Sequence, residues 1–214
     1  MAIIHSVTPE RCTIQPLDRH QLTAAAAICA RAMNDNPIHI KVFGTQSSLR
    51  EKRLRRFFPA LLAYVQQKHG LYGAFHGQTL VGVLGMLPPN NCKPSLREMV
   101  QLLPTLLTST RPTGTLRLAI WLGTWTRIDP SAPHWHLGPL AVEPKWQHKG
   151  IGTQLIEYAC KKGADNNLYL ETDKLSNVKF YERFGFSTLS TPTILAAPSW
   201  TMLRPATADN IPQE

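Results

Sequence analysis

Gln147-His148-Lys149-Gly150-Ile151-Gly152 stands where an apolar strand should end and a helix begin. Two glycines separated by one residue let the backbone turn tightly and come close to a ligand. The helix that follows aims unpaired N–H groups and the positive end of its dipole at the same spot. Such a combination binds anions, and phosphate is the usual one. The first chemistry expected of this chain is therefore the binding of a nucleotide-type cofactor.

Three phosphate sites compete for this turn. A mononucleotide loop needs G-x-x-x-x-G-K-[ST], and nothing in the chain matches it. A dinucleotide turn needs a third glycine three residues after the second, where Leu155 stands. Glu171 is suitably distant for a ribose-binding acid, but Glu143–Lys149 intervene between strand and glycines, which that fold does not allow. The third pattern is Gln/Arg-x-x-Gly-x-Gly/Ala, satisfied by Gln147, Gly150 and Gly152.

The elements that must position this turn follow from hydrophobic spacing. A short strand over 12–17 precedes a helix from Asp18 to about Met33, which Asn34-Asp35-Asn36-Pro37 breaks. A second helix, about Ser48–Lys68, carries the apolar stripe Leu54, Phe57, Phe58, Leu61, Leu62, Val65. Arg50, Lys52, Arg53, Arg55 and Arg56 in its first turns read as a solvated basic face. Strands Leu71–Phe75 and Leu80–Leu87 form a hairpin around His76-Gly77-Gln78. Two helices, Ser95–Thr108 and Thr115–Arg127, then fill residues 90–133. Trp121 and Trp125 share a face of the second of these, either packing on the sheet or walling an apolar substrate pocket. Strand Trp135–Val142, the helix to about Lys162 and strand Leu168–Thr172 make a βαβ unit with parallel strands. A short helix at about Asn177–Phe184 and strands at about Phe186–Thr191 and Ser199–Leu203 complete the sheet.

The 214 residues, 43% of them hydrophobic, suit a single domain over 1–206 with a loose tail over 207–214. The 23 Lys+Arg against 14 Asp+Glu give +9, which suits a polyanionic partner of some kind. No basic stripe is interleaved with exposed aromatics, so nucleic acid is not expected. No apolar run predicts a membrane span, and residues 1–12 carry no targeting pattern, so a cytoplasmic location is expected. Cys12, Cys29, Cys92 and Cys160 lack metal-knuckle spacing and read as reduced thiols, Cys160 as part of the core.

Two blocks carry a family resemblance. One is L-G-P-L-A-V-E-P-K-W-Q-H-K-G-I-G-T-Q-L from Leu137 to Leu155. The other is N-V-K-F-Y-E-R-F-G-F, with Asn177, Phe180, Tyr181, Gly185 and Phe186 in an Asn-x-x-Phe/Tyr-Tyr-x-x-x-Gly-Phe pattern. Their order and separation resemble the GCN5-related N-acetyltransferase (GNAT) superfamily. The resemblance implies an α/β (α+β) fold, with a mixed, centrally splayed sheet flanked by helices. Residues 90–133, which match no general pattern, become a helical insertion between the third and fourth strands.

The resemblance also implies roles. Leu140, Ala141 and Val142 would pair with the pantetheine arm of acetyl-CoA. Gln147, His148, Lys149, Gly150, Ile151, Gly152 and Thr153 would hold its pyrophosphate. Asn177 would bond the pantetheine arm or cap its helix, and Tyr181 would protonate the departing thiolate. His136, Glu143 and Glu171 are the candidates for taking the proton from the amine. The reaction implied is direct transfer to a primary amine of a small molecule, without a metal ion. Protein N-termini, lysine side chains, or a non-catalytic acyl-CoA-binding role are the alternatives, and a homodimer is compatible with the chain.

Overall fold

The computed structural model describes residues 11–207. The readings made of residues 1–10 and of the tail from 208 onward lie outside the described residues. The mixed sheet has seven strands in the order β1-β2-β3-β4-β5-β9-β6. These are β1 (Thr13–Pro16), β2 (Leu71–His76), β3 (Thr79–Leu87), β4 (His134–Val142), β5 (Asn167–Thr172), β6 (Ser187–Ser190) and β9 (Trp200–Arg204). A small hairpin, β7 (Thr193–Ile194) with β8 (Ala197–Pro198), lies between β6 and β9. The helices are α1 (Leu22–Ala32), α2 (Pro37–Phe43), α3 (Ser47–Gln67), α4 (Leu96–Thr108), α5 (Pro112–Ile128), α6 (Ile151–Lys162) and α7 (Leu175–Glu182).

The sheet separates two apolar layers because neighbouring strand residues face opposite ways. Val83 belongs to the layer that holds Ala25 of α1, Leu54 and Leu62 of α3, and Leu118 of α5. Leu84, one residue on, belongs to the layer that holds Leu155 and Ile156 of α6 and Val178 of α7. Val83, Leu54, Leu62, Leu84, Leu155 and Ile156 are fully buried, and each such side chain contributes roughly 1.5–3 kcal/mol on burial.

The splay of the sheet is local. β4 runs parallel to β5 from His134↔Asn167 to Leu137↔Leu170. The next residues of β4 are Gly138 and Pro139, and Pro139 has no N–H to donate to a ladder. From there Leu140, Ala141 and Val142 stay paired with Leu84, Val83 and Gly82 of β3, while a cleft opens on their β5 side. The insertion of α4 and α5 between the third and fourth strands stands as expected.

Two local expectations change. Asn36-Pro37 ends one helix and starts another. The Asn36 side chain accepts from the N–H groups of Ile38 and His39, and Pro37 occupies the first turn of α2, where a missing N–H costs nothing. Arg50 is not on a solvated face. It is buried, and its guanidinium donates to the carbonyls of Asn34, Gly44 and Thr45, while Arg53 donates to that of Phe43. The α1–α2 and α2–α3 connections leave carbonyls facing inward, and arginine satisfies them.

Candidate active site

The cleft beside β4 is floored by Gly138–Val142 and closed at one end by the turn into α6. Gly150 adopts φ +80°, which L side chains rarely take, and forms the N-terminal boundary of α6. The first intrahelical bond is donated by the Gln154 N–H to the Gly150 carbonyl, so the amides of Ile151, Gly152 and Thr153 point out of the helix end. A Cβ on Gly152 would lie 3.7 Å from Phe180 and 3.9 Å from Val142, in ordinary contact. Protein packing therefore tolerates a side chain at 152, and the space it would take is that of a ligand in the cleft.

Other residues of the turn divide by role. Gln147, His148 and Thr153 line the cleft. The Gln147 side chain donates to the Val142 carbonyl at 3.1 Å, tying the turn to the strand end. Lys149 instead places Nζ over the Trp146 ring, 4.5 Å from its centroid, and the Ile151 side chain is buried in the core. Neither side chain lines the cleft. Lys174 and Arg183 supply positive charge on the cleft wall.

Asn177 lies inside α7, whose N-cap is Lys174, so it does not cap its helix. Its amide donates to the Thr172 hydroxyl at 3.0 Å, fastening α7 to the end of β5, and its side chain borders the cleft. Tyr181, one turn further on, also borders the cleft, packed against Phe180 and Phe186. Burial pushes its phenol up to about 12, so the group keeps its proton at neutral pH.

The three proton-acceptor candidates separate clearly. Glu143 is absent from the cleft walls and holds Arg31 of α1 through both carboxylate oxygens. That bidentate pair holds the carboxylate on Arg31 of α1, away from the cleft. His136 has no free nitrogen. Nδ1 faces Asp129 Oδ1 at 3.0 Å and Nε2 faces Glu171 Oε2 at 3.0 Å. Burial opposes its charge, but the two carboxylates win and raise its pKa to about 10. A ring held in this way fixes the Glu171 carboxylate at the end of β5. Glu171 sits at the end of β5 and borders the cleft.

A second cavity, of about 340 Å³, opens beyond this group. Trp121 and Trp125 of α5, Phe57 and Phe58 of α3, and Leu102 and Leu106 of α4 make its apolar walls. The insertion helices thus bring both tryptophans to a cavity rather than to the sheet. The two cavities share Met33, Asn36, Leu137, Gly138, Pro139, Glu171 and Asp173.

A sequence profile of the acetyltransferase (GNAT) family matches residues 41–186, over two thirds of the chain. The chain belongs to the GNAT family. It is thus an acyltransferase of the acetyl-CoA-dependent N-acetyltransferase class, as its motifs imply. The fold agrees with solved acetyltransferases. One is a histone acetyltransferase HPA2-related acetyltransferase from Corynebacterium glutamicum, 19% identical, with 94% of this chain on 99% of that one and a TM-score of 0.67. Another is the polyamine N-acetyltransferase of Drosophila melanogaster, 12% identical over 91% of this chain and all of that one, TM-score 0.60. YncA of Salmonella typhimurium, solved with acetyl-CoA, is 11% identical over 94% and 98% of the two chains, TM-score 0.55. At such identities the likeness concerns the fold.

Within this GNAT fold, Asp129 and Asp173 border these cavities although the motifs did not indicate them, and Asn36 meets Asp173 there. Asn36 donates to Asp173 Oδ2 at 2.9 Å, and Ser199 donates to Asp173 Oδ1 at 2.6 Å. Burial raises the Asp173 pKa, with those two bonds pulling the other way. Asp129 is held well below the usual carboxylate range, because bonds from His134 and His136 outweigh its burial. Asp173 had a visible signal, since it lies two residues after Glu171 at a strand end and so faces the same way. Asp129 had none: a helix-terminal acid before Pro130 reads as a solvated cap. Among the described residues, no helix is long and apolar enough to cross a membrane.

Proposed function

We propose that this enzyme moves the acetyl group of acetyl-CoA directly to a primary amine of a small molecule. The observation that carries this reading is the shared wall of the two cavities at Gly138, Pro139, Glu171 and Asp173. A cofactor in the glycine cleft and an amine in the apolar cavity would meet there. The pyrophosphate would lie on the amides of Ile151–Thr153, and the pantetheine arm along Leu140–Val142. The amine body would rest among Trp121, Trp125 and the leucines of α4.

Glu171, oriented by His136, takes the ammonium proton directly or through one water. The free amine attacks the thioester carbonyl and the C–N bond forms; the nitrogen gives its second proton to solvent as the intermediate collapses and the C–S bond breaks. Tyr181 gives its proton to the departing thiolate, and solvent restores the phenol. The insertion supports a small acceptor: α4 and α5 wall the cavity where a peptide groove would need open space. A thiol-release assay with acetyl-CoA and a panel of primary amines tests this. Saturable, amine-dependent release is expected. Release that ignores the amine, or an absence of CoA binding, contradicts it.

A further inference from the structure

We propose that Asp129, His134 and His136 form a binding site for one zinc ion. His134 and His136 are alternate residues of β4, so their rings share a face, with centroids 6.0 Å apart. Asp129, just past the end of α5, brings Oδ1 to 3.0 Å from His136 Nδ1 and 3.3 Å from His134 Nε2. One ligand atom from each residue lies within 4.8 Å of the other two. Ligands held about 2.0–2.2 Å from a tetrahedral zinc ion are roughly 3.4 Å apart, which this triangle approaches.

The outer nitrogens decide where the lone pairs go. His134 Nδ1 is 2.8 Å from the Ala132 carbonyl, which can only accept, so this nitrogen carries hydrogen. His136 Nε2 donates to Glu171 Oε2 at 3.0 Å. A neutral imidazole has a single N–H. Without a metal ion both rings instead carry a second proton and donate it toward Asp129 Oδ1, and a zinc ion on the same three atoms would displace those two protons. His134 is only 3% exposed, and its buried Nε2 faces Asp129 Oδ1 at 3.3 Å. Metal-binding histidines show this same outer pattern, with the second N–H held by a carbonyl or carboxylate.

Two nitrogens and one oxygen favour zinc over magnesium or calcium. Lys93 Nζ, 3.5 Å away, faces Asp129 Oδ2 and leaves Oδ1 to the ion. Asp129 and His136 also border the apolar cavity, which gives an entry route and room for water as the fourth ligand. The acyl-transfer reading is not needed for this site, and in both states His136 keeps its bond to Glu171.

Isothermal titration of the chelator-treated chain with zinc chloride alone tests the site. One bound ion per chain is expected, weakened at least about 100-fold by His134→Ala and by Asp129→Asn. Glu171→Gln, which alters only the outer partner of His136, should weaken it about 10- to 100-fold. Should the ligand variants fail to fold by circular dichroism, cobalt(II) bound to the unaltered chain decides, because a four-coordinate ion absorbs visible light far more strongly than a six-coordinate one. No zinc binding, affinity unchanged by His134→Ala, or a six-coordinate cobalt spectrum overturns the proposal.

Discussion

Glu171 and His136 face each other across the parallel strands β5 and β4, with Oε2 accepting from Nε2 at 3.0 Å. The other ring nitrogen is held by Asp129, which follows the last turn of α5. The insertion is thereby tied to the point where the two cavities meet. This contact gives Glu171 a fixed oxygen at the wall that the two cavities share.

Replacing Glu171 by Gln keeps a carbonyl oxygen to accept from His136 but removes the base. Turnover should fall about 100-fold or more, with acetyl-CoA affinity unchanged. Steady-state kinetics and a separate CoA titration check this, and unaltered turnover assigns the proton to another group.

Tyr181→Phe should lower turnover by about 100-fold without weakening acetyl-CoA. An acid must be protonated to act, and burial places the Tyr181 pKa at about 12. The acid is therefore present at every pH below that value. No alkaline loss of turnover should track this group until pH approaches 12, and a pH–rate profile that loses an alkaline limb near neutrality only in the unaltered enzyme contradicts it.

Trp125→Ala should raise KM for amines with apolar bodies roughly 10-fold, because it removes one wall of the 340 Å³ cavity. KM for acetyl-CoA should not move. Equal loss for both substrates means that the cavity does not hold the acceptor.

Arg50→Ala should destabilise the fold by about 3 kcal/mol, since three inward carbonyls lose a charged donor. Urea unfolding measures this, and a change within experimental scatter returns Arg50 to a solvated role.

Much of the fold was legible because its signals are local. The strand that stops at Glu143-Pro144, the two glycines and the Asn177–Tyr181 block all lie within about fifty residues, and they place cleft, helix end and phenol in their observed order. What escaped depends on contacts between distant segments. Asn36 reads as a breaker, yet it caps α2 and bonds Asp173, 137 positions away. Glu143 reads as a strand-end acid, yet Arg31, 112 positions earlier, claims it. His136 reads as a lone histidine, and only the fold shows that two carboxylates hold it. Spacing rules capture periodicity and turn chemistry, and they carry no information about which distant charge will neutralise another.

The most direct test of the central claim is a crystal structure with CoA bound. The account predicts the diphosphate on the amides of Ile151–Thr153, the pantetheine along Leu140–Val142, and the sulfur beside Tyr181 where the cleft meets the apolar cavity. A pantetheine arm that enters the cavity lined by Trp121 and Trp125, or a sulfur remote from both Tyr181 and Glu171, contradicts it.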